Sequence, residues 1–164
     1  MAAMAANNRR LLLAAVLLLG LLAGCAKPAG DYFFVSTETA RSQQGRYDFS
    51  LALDDSTRSY TIALAARLVA SRIPERQIGL EIRRTSPFGE TAIERRSFPL
   101  EGDSIRITKG SGSVIDCEWI LQERLQLSGA ETGLWQLSVS PIDTNLLTAI
   151  YGIGLSYKDS YGKR

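Results

Sequence analysis

The most reactive nucleophiles in this 164-residue sequence are two cysteine thiols, Cys25 and Cys117, and no histidine is present to activate them. Histidine is the commonest general acid–base residue at neutral pH, the usual base of serine and cysteine proteases, and a frequent zinc ligand. Its absence excludes those sites in their usual form. No metal ion or other cofactor is expected, and the two thiols have to be interpreted from their neighbours.

Cys25 follows a segment typical of an export signal. Arg9 and Arg10 form a basic head, the 14 residues from 11 to 24 carry no charge, and the segment ends in small residues. A helix that spans a bilayer needs about 20 apolar residues, so a permanent membrane span is the weaker interpretation. Residues 1–24 are therefore predicted to be a signal peptide.

The residues LAGC at 22–25 resemble the bacterial lipobox, in which a branched apolar residue and two small residues precede an invariant cysteine. The resemblance implies that the Cys25 thiol receives a diacylglyceryl group and that residues 25–30 form a lipidated tether. A single acyl chain holds a protein only marginally, but a mature bacterial lipoprotein carries three. The protein is therefore expected to stay anchored to a membrane of the bacterial cell envelope.

The charge balance gives no basis for nucleic-acid binding, which requires a concentrated basic face. The chain has 19 basic and 17 acidic residues, but Arg9 and Arg10 leave with the signal, so the mature protein has 17 of each. Cys117, left without a partner once Cys25 is acylated, forms no intramolecular disulfide. Unpaired cysteines are among the most buried residues, and Cys117 is predicted to be buried.

No acidic pair forms a recognisable catalytic signature. Asp54 and Asp55 indicate a turn, while Asp116 and Glu118 indicate strand residues that face solvent. A hydrolase with a carboxylate pair stays open as an alternative, because such pairs meet in space rather than in sequence. In the segment 109–113 the lysine precedes the glycines, whereas a phosphate-binding loop needs a lysine after them. The segment 152–154 lacks the third glycine of a dinucleotide-binding loop.

Trp119 and Trp135 are the candidate ligand-binding aromatics, because exposed aromatic side chains bind sugars and partner proteins well. Each tryptophan also alternates with apolar residues along its segment. That pattern favours the hydrophobic core. The core interpretation is preferred, and glycan binding through either ring stays open.

Alternating apolar and polar residues predict eight or nine short strands, at 31–35, 46–53, 59–70, 78–83, 92–98, 105–108, 114–127, 134–139 and 150–157. A bulge is predicted near 122–124, because that strand is long, and a helical turn within 141–149. Strands joined by turns without long helices predict an all-β antiparallel β-sandwich, Ig-like or jelly-roll-like, over residues 31–158. A small open barrel is the second choice, and residues 159–164 are expected to be a frayed tail.

Four segments resemble a known family: SPFGE at 86–90, DCEW at 116–119, GLWQLSVSP at 133–141 and GIGL at 152–155. Together with the lipidated signal and a strand-rich domain of about 135 residues, they are similar to the gliding-motility-associated lipoprotein family GldH of Bacteroidota. The resemblance implies a cell-envelope lipoprotein that, in gliding species, belongs to the motility machinery linked to type IX secretion. It supplies no catalytic residue.

The resemblance to Bacteroidota lipoproteins has two further implications. Surface-exported lipoproteins of that phylum carry an acidic run after the cysteine, which residues 26–30 lack, so an outer-membrane protein facing the periplasm is expected. The short acceptor pattern for O-glycosylation in that group is matched around Ser56 and Ser104, which are the candidate acceptors.

Three functions are consistent with the sequence. The first is a non-enzymatic envelope lipoprotein that binds or scaffolds other envelope proteins, and it is preferred because the chain combines an anchor motif with no catalytic signature. The second is a glycan-binding lipoprotein that uses Trp119 or Trp135. The third is a hydrolase whose two carboxylates converge in a cleft.

Overall fold

The computed structural model describes residues 31–73, 75–103, 105–111 and 113–161. Within these ranges the chain forms nine strands and one α-helix. In chain order they are β1 (Asp31–Ser36), α1 (Thr37–Ser42), β2 (Tyr47–Leu53), β3 (Arg58–Val69), β4 (Gln77–Thr85), β5 (Thr91–Pro99), β6 (Arg106–Ser111), β7 (Val114–Gln126), β8 (Gly133–Pro141) and β9 (Ile150–Tyr161). No helix in the described part of the chain is long and apolar enough to cross a membrane.

The strands form two antiparallel sheets that enclose one core. Sheet A has the order β1-β9-β3-β7-β6, and sheet B has the order β2-β8-β4-β5. Eight of these strands have the neighbour relations of a jelly roll, and β6 is an additional strand at the edge of sheet A. The predicted all-β antiparallel sandwich is confirmed, and its two sheets are separate rather than joined into a barrel.

The core is built from alternate residues of each strand. In β2, Tyr47, Phe49, Leu51 and Leu53 are buried and the residues between them are exposed. Side chains of a strand point to opposite faces in turn, so this pattern turns one face of β2 towards sheet A. Burying each large side chain contributes roughly 1.5–3 kcal/mol, and both sheets supply residues to the same hydrophobic cluster.

The long strand β7 contains the predicted bulge. Tyr60 pairs with Leu125 and Ala63 with Ile120, so β7 uses two more residues than β3 over the same distance. Arg124, within this region, has a positive φ of 51°. Extra residues on one strand bend it and increase its local twist, so β7 changes direction here.

The C-terminal strand is longer than predicted. β9 continues to Tyr161, which pairs with Arg58 of β3, whereas the sequence placed the end of the domain at 158. The polar residues that follow Tyr157 pair with the first residues of β3 and keep the strand in the sheet. Residues 162–164 and the predicted signal and tether, 1–30, lie outside the described residues. The predicted helical turn is confirmed as a 3-10 helix at Thr144–Thr148.

The helix α1 was not predicted from the sequence. It has only six residues, too few for a helical period to be recognised, and Ser36 caps it by accepting a hydrogen bond from the Thr39 backbone N–H. Its buried residue Thr37 connects the two sheets. The Thr37 hydroxyl donates a hydrogen bond to the backbone carbonyl of Ile150 in sheet A and lies 2.8 Å from the Tyr47 hydroxyl of sheet B.

Thr37→Val is predicted to lower the free energy of unfolding by about 1–3 kcal/mol, because it leaves two buried polar groups without their partner. Urea denaturation followed by circular dichroism measures the change. Thr39→Val is the control, since Thr39 lies in the same helix and is exposed, and it should change stability by less than about 0.5 kcal/mol. Equal losses in the two variants would contradict a connecting role for Thr37.

Candidate functional site

The outer face of sheet A is a concave surface that we call the outer trough. On β3, Leu64 and Ala66 point into the core. Side chains of a strand alternate between its two faces, so Ala63 and Ala65 point outward. The floor of the outer trough consists of Ala63 and Ala65. One wall consists of Tyr32 and Phe34 of β1, whose rings lie over Gly152 and Gly154 of β9. The opposite wall consists of Asp116, Glu118 and Ile120 of β7.

The strand register places these side chains in rows across the sheet. In one row Phe34 pairs with Gly154, Gly154 with Ala65, Ala65 with Glu118, and Glu118 with Arg106. An aromatic ring and a charged pair therefore face each other across two residues that have almost no side chain. The surface is concave because the residues in the middle of the row are small and those at its ends are large.

The aromatic wall leans over β9. Tyr32 is 61% exposed and Phe34 46% exposed. A Cβ atom on Gly154 would lie 2.5 Å from the Tyr32 hydroxyl oxygen, and a Cβ atom on Gly152 would contact the Phe34 ring. Each ring therefore occupies space above β9 that a side chain of β9 would otherwise fill. The two glycines allow the rings to lie against the sheet.

The charged wall is fixed by a bidentate ion pair. Arg67 donates from Nε to Asp116 Oδ1 at 2.8 Å and from Nη2 to Asp116 Oδ2 at 3.0 Å. These hydrogen bonds hold the pKa of Asp116 below its ordinary value and raise the pKa of Arg67. Burial, and then the Asp116 charge, raise the pKa of the Tyr32 hydroxyl above its ordinary value.

The outer trough also brings together two carboxylates, Asp116 and Glu118, and both line a hollow of about 410 Å³. The prediction that they are outward strand residues is confirmed. A carboxylate-pair hydrolase needs one carboxylic acid that stays protonated near neutral pH. Asp116 is instead kept ionised by Arg67, and Glu118 lies 3.8 Å from Arg106. Asp116 therefore does not fit the role of the protonated acid.

The outer face of sheet B is different. It carries ladders of polar side chains that bond to one another across the strands: Ser50 to Gln136, Thr85 to Thr91, Arg95 to Glu81, and Ser97 to Gln77. Exposed apolar residues such as Ile93 occur singly, which is normal for a protein surface. The contrast between the two faces places the candidate site on sheet A.

The preferred prediction, that the tryptophans belong to the core, is confirmed for Trp119, and Trp135 packs against the core. Trp119 is 3% exposed, packs against Phe98 with ring centroids 5.3 Å apart, and donates its indole N–H to the Pro99 carbonyl at 2.8 Å. Its ring is closed to a ligand. Trp135 is half-buried against the core and donates to the Glu131 carbonyl at 2.9 Å.

Sequence reasoning missed Tyr32 and Phe34 as surface residues. It used the aromatic residues of β1 only as strand formers. The available signal was their spacing, since residues two apart share a face, combined with two glycines at the same spacing in β9. Recognising it required the pairing of β1 with β9, which joins segments more than 100 residues apart.

The remaining predicted residues have simple outcomes. Cys117 is buried, as predicted, and burial raises the pKa of its thiol to about 11. Ser56 is exposed in the turn between β2 and β3, and its glycosylation stays a prediction. Cys25 and Ser104 lie outside the described residues. Among the side chains that are described, no group of three or more acidic or cysteine residues could hold a metal ion.

No protein-family model matches the chain, and no curated protein matches its sequence. Among solved structures, the chain is similar to Pseudomonas aeruginosa AlgX, with 15% identity and a TM-score of 0.38 over 85% of this chain and 28% of that one. It is also similar to a CBM28 module described as specific for non-crystalline cellulose, with 8% identity and a TM-score of 0.35 over 79% and 70% of the two chains. These values carry no argument about function.

Alanine substitutions of Gly152 and Gly154, which lie under the aromatic rings, are predicted to differ in their effect on stability. A methyl group on Gly152 would contact the Phe34 ring and lie 2.7 Å from the Val35 carbonyl oxygen, a backbone atom that has little room to move, so Gly152→Ala should destabilise the fold by about 1–3 kcal/mol. The nearest atoms to a methyl on Gly154 all belong to the exposed Tyr32 ring, which can swing away, so Gly154→Ala should cost less than about 1 kcal/mol. Urea unfolding curves of both variants measure the difference, and equal losses would contradict this packing.

Proposed function

We propose that this protein is a lipid-anchored lipoprotein of the bacterial cell envelope that binds other envelope proteins and catalyses no reaction. The observation that carries the proposal is the outer trough, a concave face with exposed aromatic rings on one side and fixed charges on the other. Aromatic surface that is partly exposed and framed by polar groups is typical of binding sites. The charged groups of the outer trough are paired in a way that suits binding rather than proton transfer.

The anchor motif supports the same proposal. Five residues, 26–30, separate Cys25 from β1, and the six-residue tether 25–30 spans at most about 20 Å when fully extended. The aromatic wall of the outer trough belongs to β1, the first strand after that tether. An anchored protein would therefore present the outer trough close to the membrane on which it is held, where other envelope proteins are concentrated.

The resemblance to the GldH family supports a more specific version of the proposal. In that version the partners belong to a gliding-motility or type IX secretion apparatus, and the protein faces the periplasm from the outer membrane. The preferred role is then a scaffold, since the family supplies no catalytic residue.

Cys25→Ala is predicted to release the protein from membranes or to leave residues 1–24 attached, because the thiol that receives the lipid is absent. Fractionation of cells followed by intact mass spectrometry measures both effects. Cys117→Ala is the matched control, because it removes the other thiol without touching the anchor. Normal processing and normal membrane retention of the Cys25 variant would refute lipidation at this residue.

Photo-crosslinking is predicted to capture envelope proteins from the outer trough and not from sheet B. A photoreactive phenylalanine analogue replaces Ile120 in one variant and Ile93 in another. These two isoleucines are matched, because both lie on outer strand faces and are 48% and 54% exposed. Adducts in native membranes should form from position 120 at several times the yield from position 93.

Equal yields from both positions would argue against the outer trough as the binding face. An absence of protein adducts at both positions would overturn the proposal that the protein binds envelope proteins. Each variant is checked for membrane retention first, so that a lost anchor is not mistaken for a lost partner.

A further inference from the structure

We propose that the outer trough is a binding site for an extended, uncharged saccharide chain. This inference deepens the proposed function and rests on it, because the outer trough is the surface assigned there to envelope partners. It names the chemistry of the group that a partner would place in the outer trough, and it uses none of the tryptophans.

A sugar ring has a C–H face that is apolar and a rim of hydroxyl groups that donate and accept hydrogen bonds. A saccharide site therefore needs aromatic surface next to planar polar groups. The outer trough has both, with Tyr32 and Phe34 on one wall and the Arg67–Asp116 pair on the other. A guanidinium has five N–H donors, of which Asp116 receives two, so Arg67 is positioned and still able to donate to hydroxyl groups.

The charges of the outer trough and its continuation balance. Among the described side chains that line the two hollows of this face, three are basic and three are acidic: Arg67, Arg106, Lys158, Asp103, Asp116 and Glu118. A polyanionic ligand would gain no net attraction from such a set. Fixed charges of both signs do suit hydroxyl groups, which act as donors to carboxylates and as acceptors from cations.

The shape favours a chain rather than a single sugar. The hollow beside Tyr32 and a second one of about 400 Å³ share Glu118 and follow the strands over Ala65, Ala63 and Thr61. From Arg67 to Thr61 the strand β3 covers about 20 Å at roughly 3.3 Å per residue, a length of about four linked sugar rings. The aromatic wall lies beside only part of this length, so several sugar units would be needed to use all of it.

A peptide strand fits this face less well. The floor strands β9 and β3 have a paired neighbour on both sides, and their backbone groups are therefore directed within the sheet rather than towards the outer trough. Strand addition takes place at sheet edges, where backbone groups are open. A membrane surface also fits poorly, because insertion of the Tyr32 wall would press Asp116 and Glu118 towards lipid at a high desolvation cost.

The test is titration calorimetry with the full chain, purified in a detergent that has no sugar headgroup. The probes are the uncharged hexasaccharides of β-1,4-glucose, β-1,3-glucose, α-1,4-glucose, β-1,4-mannose and β-1,4-N-acetylglucosamine, together with a hexagalacturonate as the anionic probe. At least one uncharged hexasaccharide should bind, its disaccharide should bind at least about tenfold more weakly, and the hexagalacturonate should give no heat.

Three variants assign the binding to the outer trough. Tyr32→Ala and Phe34→Ala should each lower the affinity for the hexasaccharide by about tenfold or more. Ala65→Gln should abolish binding, because the longer side chain fills the floor and leaves both walls in place. Phe88→Ala is the control, because Phe88 is a 70% exposed aromatic residue in the turn between β4 and β5. The Phe88→Ala variant should bind the hexasaccharide with the affinity of the unchanged protein.

The outcomes separate this inference from the proposed function. If no uncharged hexasaccharide binds while crosslinking from position 120 still captures proteins, the saccharide-binding inference is wrong and the proposed binding of envelope proteins stands. Binding that survives Ala65→Gln would also overturn the inference. If no saccharide binds and no protein is crosslinked, both proposals fail.

The saccharide chain could belong to a free polysaccharide or to a glycan attached to an envelope protein. Enzymatic or chemical deglycosylation of the membranes before crosslinking distinguishes the two sources. Loss of the protein adducts at position 120 would assign the ligand to a glycoprotein. Adducts that persist and are instead reduced by an added hexasaccharide would assign it to a free chain that shares the site.

Discussion

The structure depends on the requirement that β3 serve two surfaces at once. This strand pairs with β9 on one side and with β7 on the other over most of its length, so its side chains have only two directions available. Those that point inward, among them Leu64 and Leu68, are fully buried and hold the two sheets together. Among those that point outward, Ala63 and Ala65 are small, so the rings of β1 and the charges of β7 form the walls of a concavity beside them.

The outer trough is therefore a consequence of local side-chain size rather than of a loop or an insertion. Two aromatic residues on an edge strand would stand apart from the sheet if β9 carried ordinary side chains. The glycines of β9 remove that obstacle, so Tyr32 can extend towards β7 and approach the charge of Asp116. A packing constraint inside the sandwich and a concave surface outside it are thus set by the same three strands, β1, β9 and β3.

Much of the fold was predictable from the sequence, because its signals are local. The alternation in β2 from Tyr47 to Leu53 gave the strand and its buried face, and the length of β7 indicated its bulge. The helix α1 was missed because six residues cannot show a helical period. The buried positions of Cys117 and Trp119 followed from the alternation within β7.

The site was much less predictable, because its parts are distant in sequence. Arg67 and Asp116 meet only through the pairing of β3 with β7, and Phe34 reaches Gly152 only through the pairing of β1 with β9. Neither pairing has a local signature, and composition alone does not reveal which of two aromatic sets stays exposed. The candidate ligand-binding aromatics in the sequence were therefore the tryptophans, of which Trp119 is buried in the core.

The Arg67–Asp116 pair has a consequence for the pH range over which this part of the outer trough keeps its charges. Histidine is the side chain whose ordinary pKa falls between pH 5 and 8, and this chain has none. The carboxylate of Asp116 is held ionised to lower pH than usual by its arginine partner. The charges of this ion pair therefore stay in place between mildly acidic and neutral conditions.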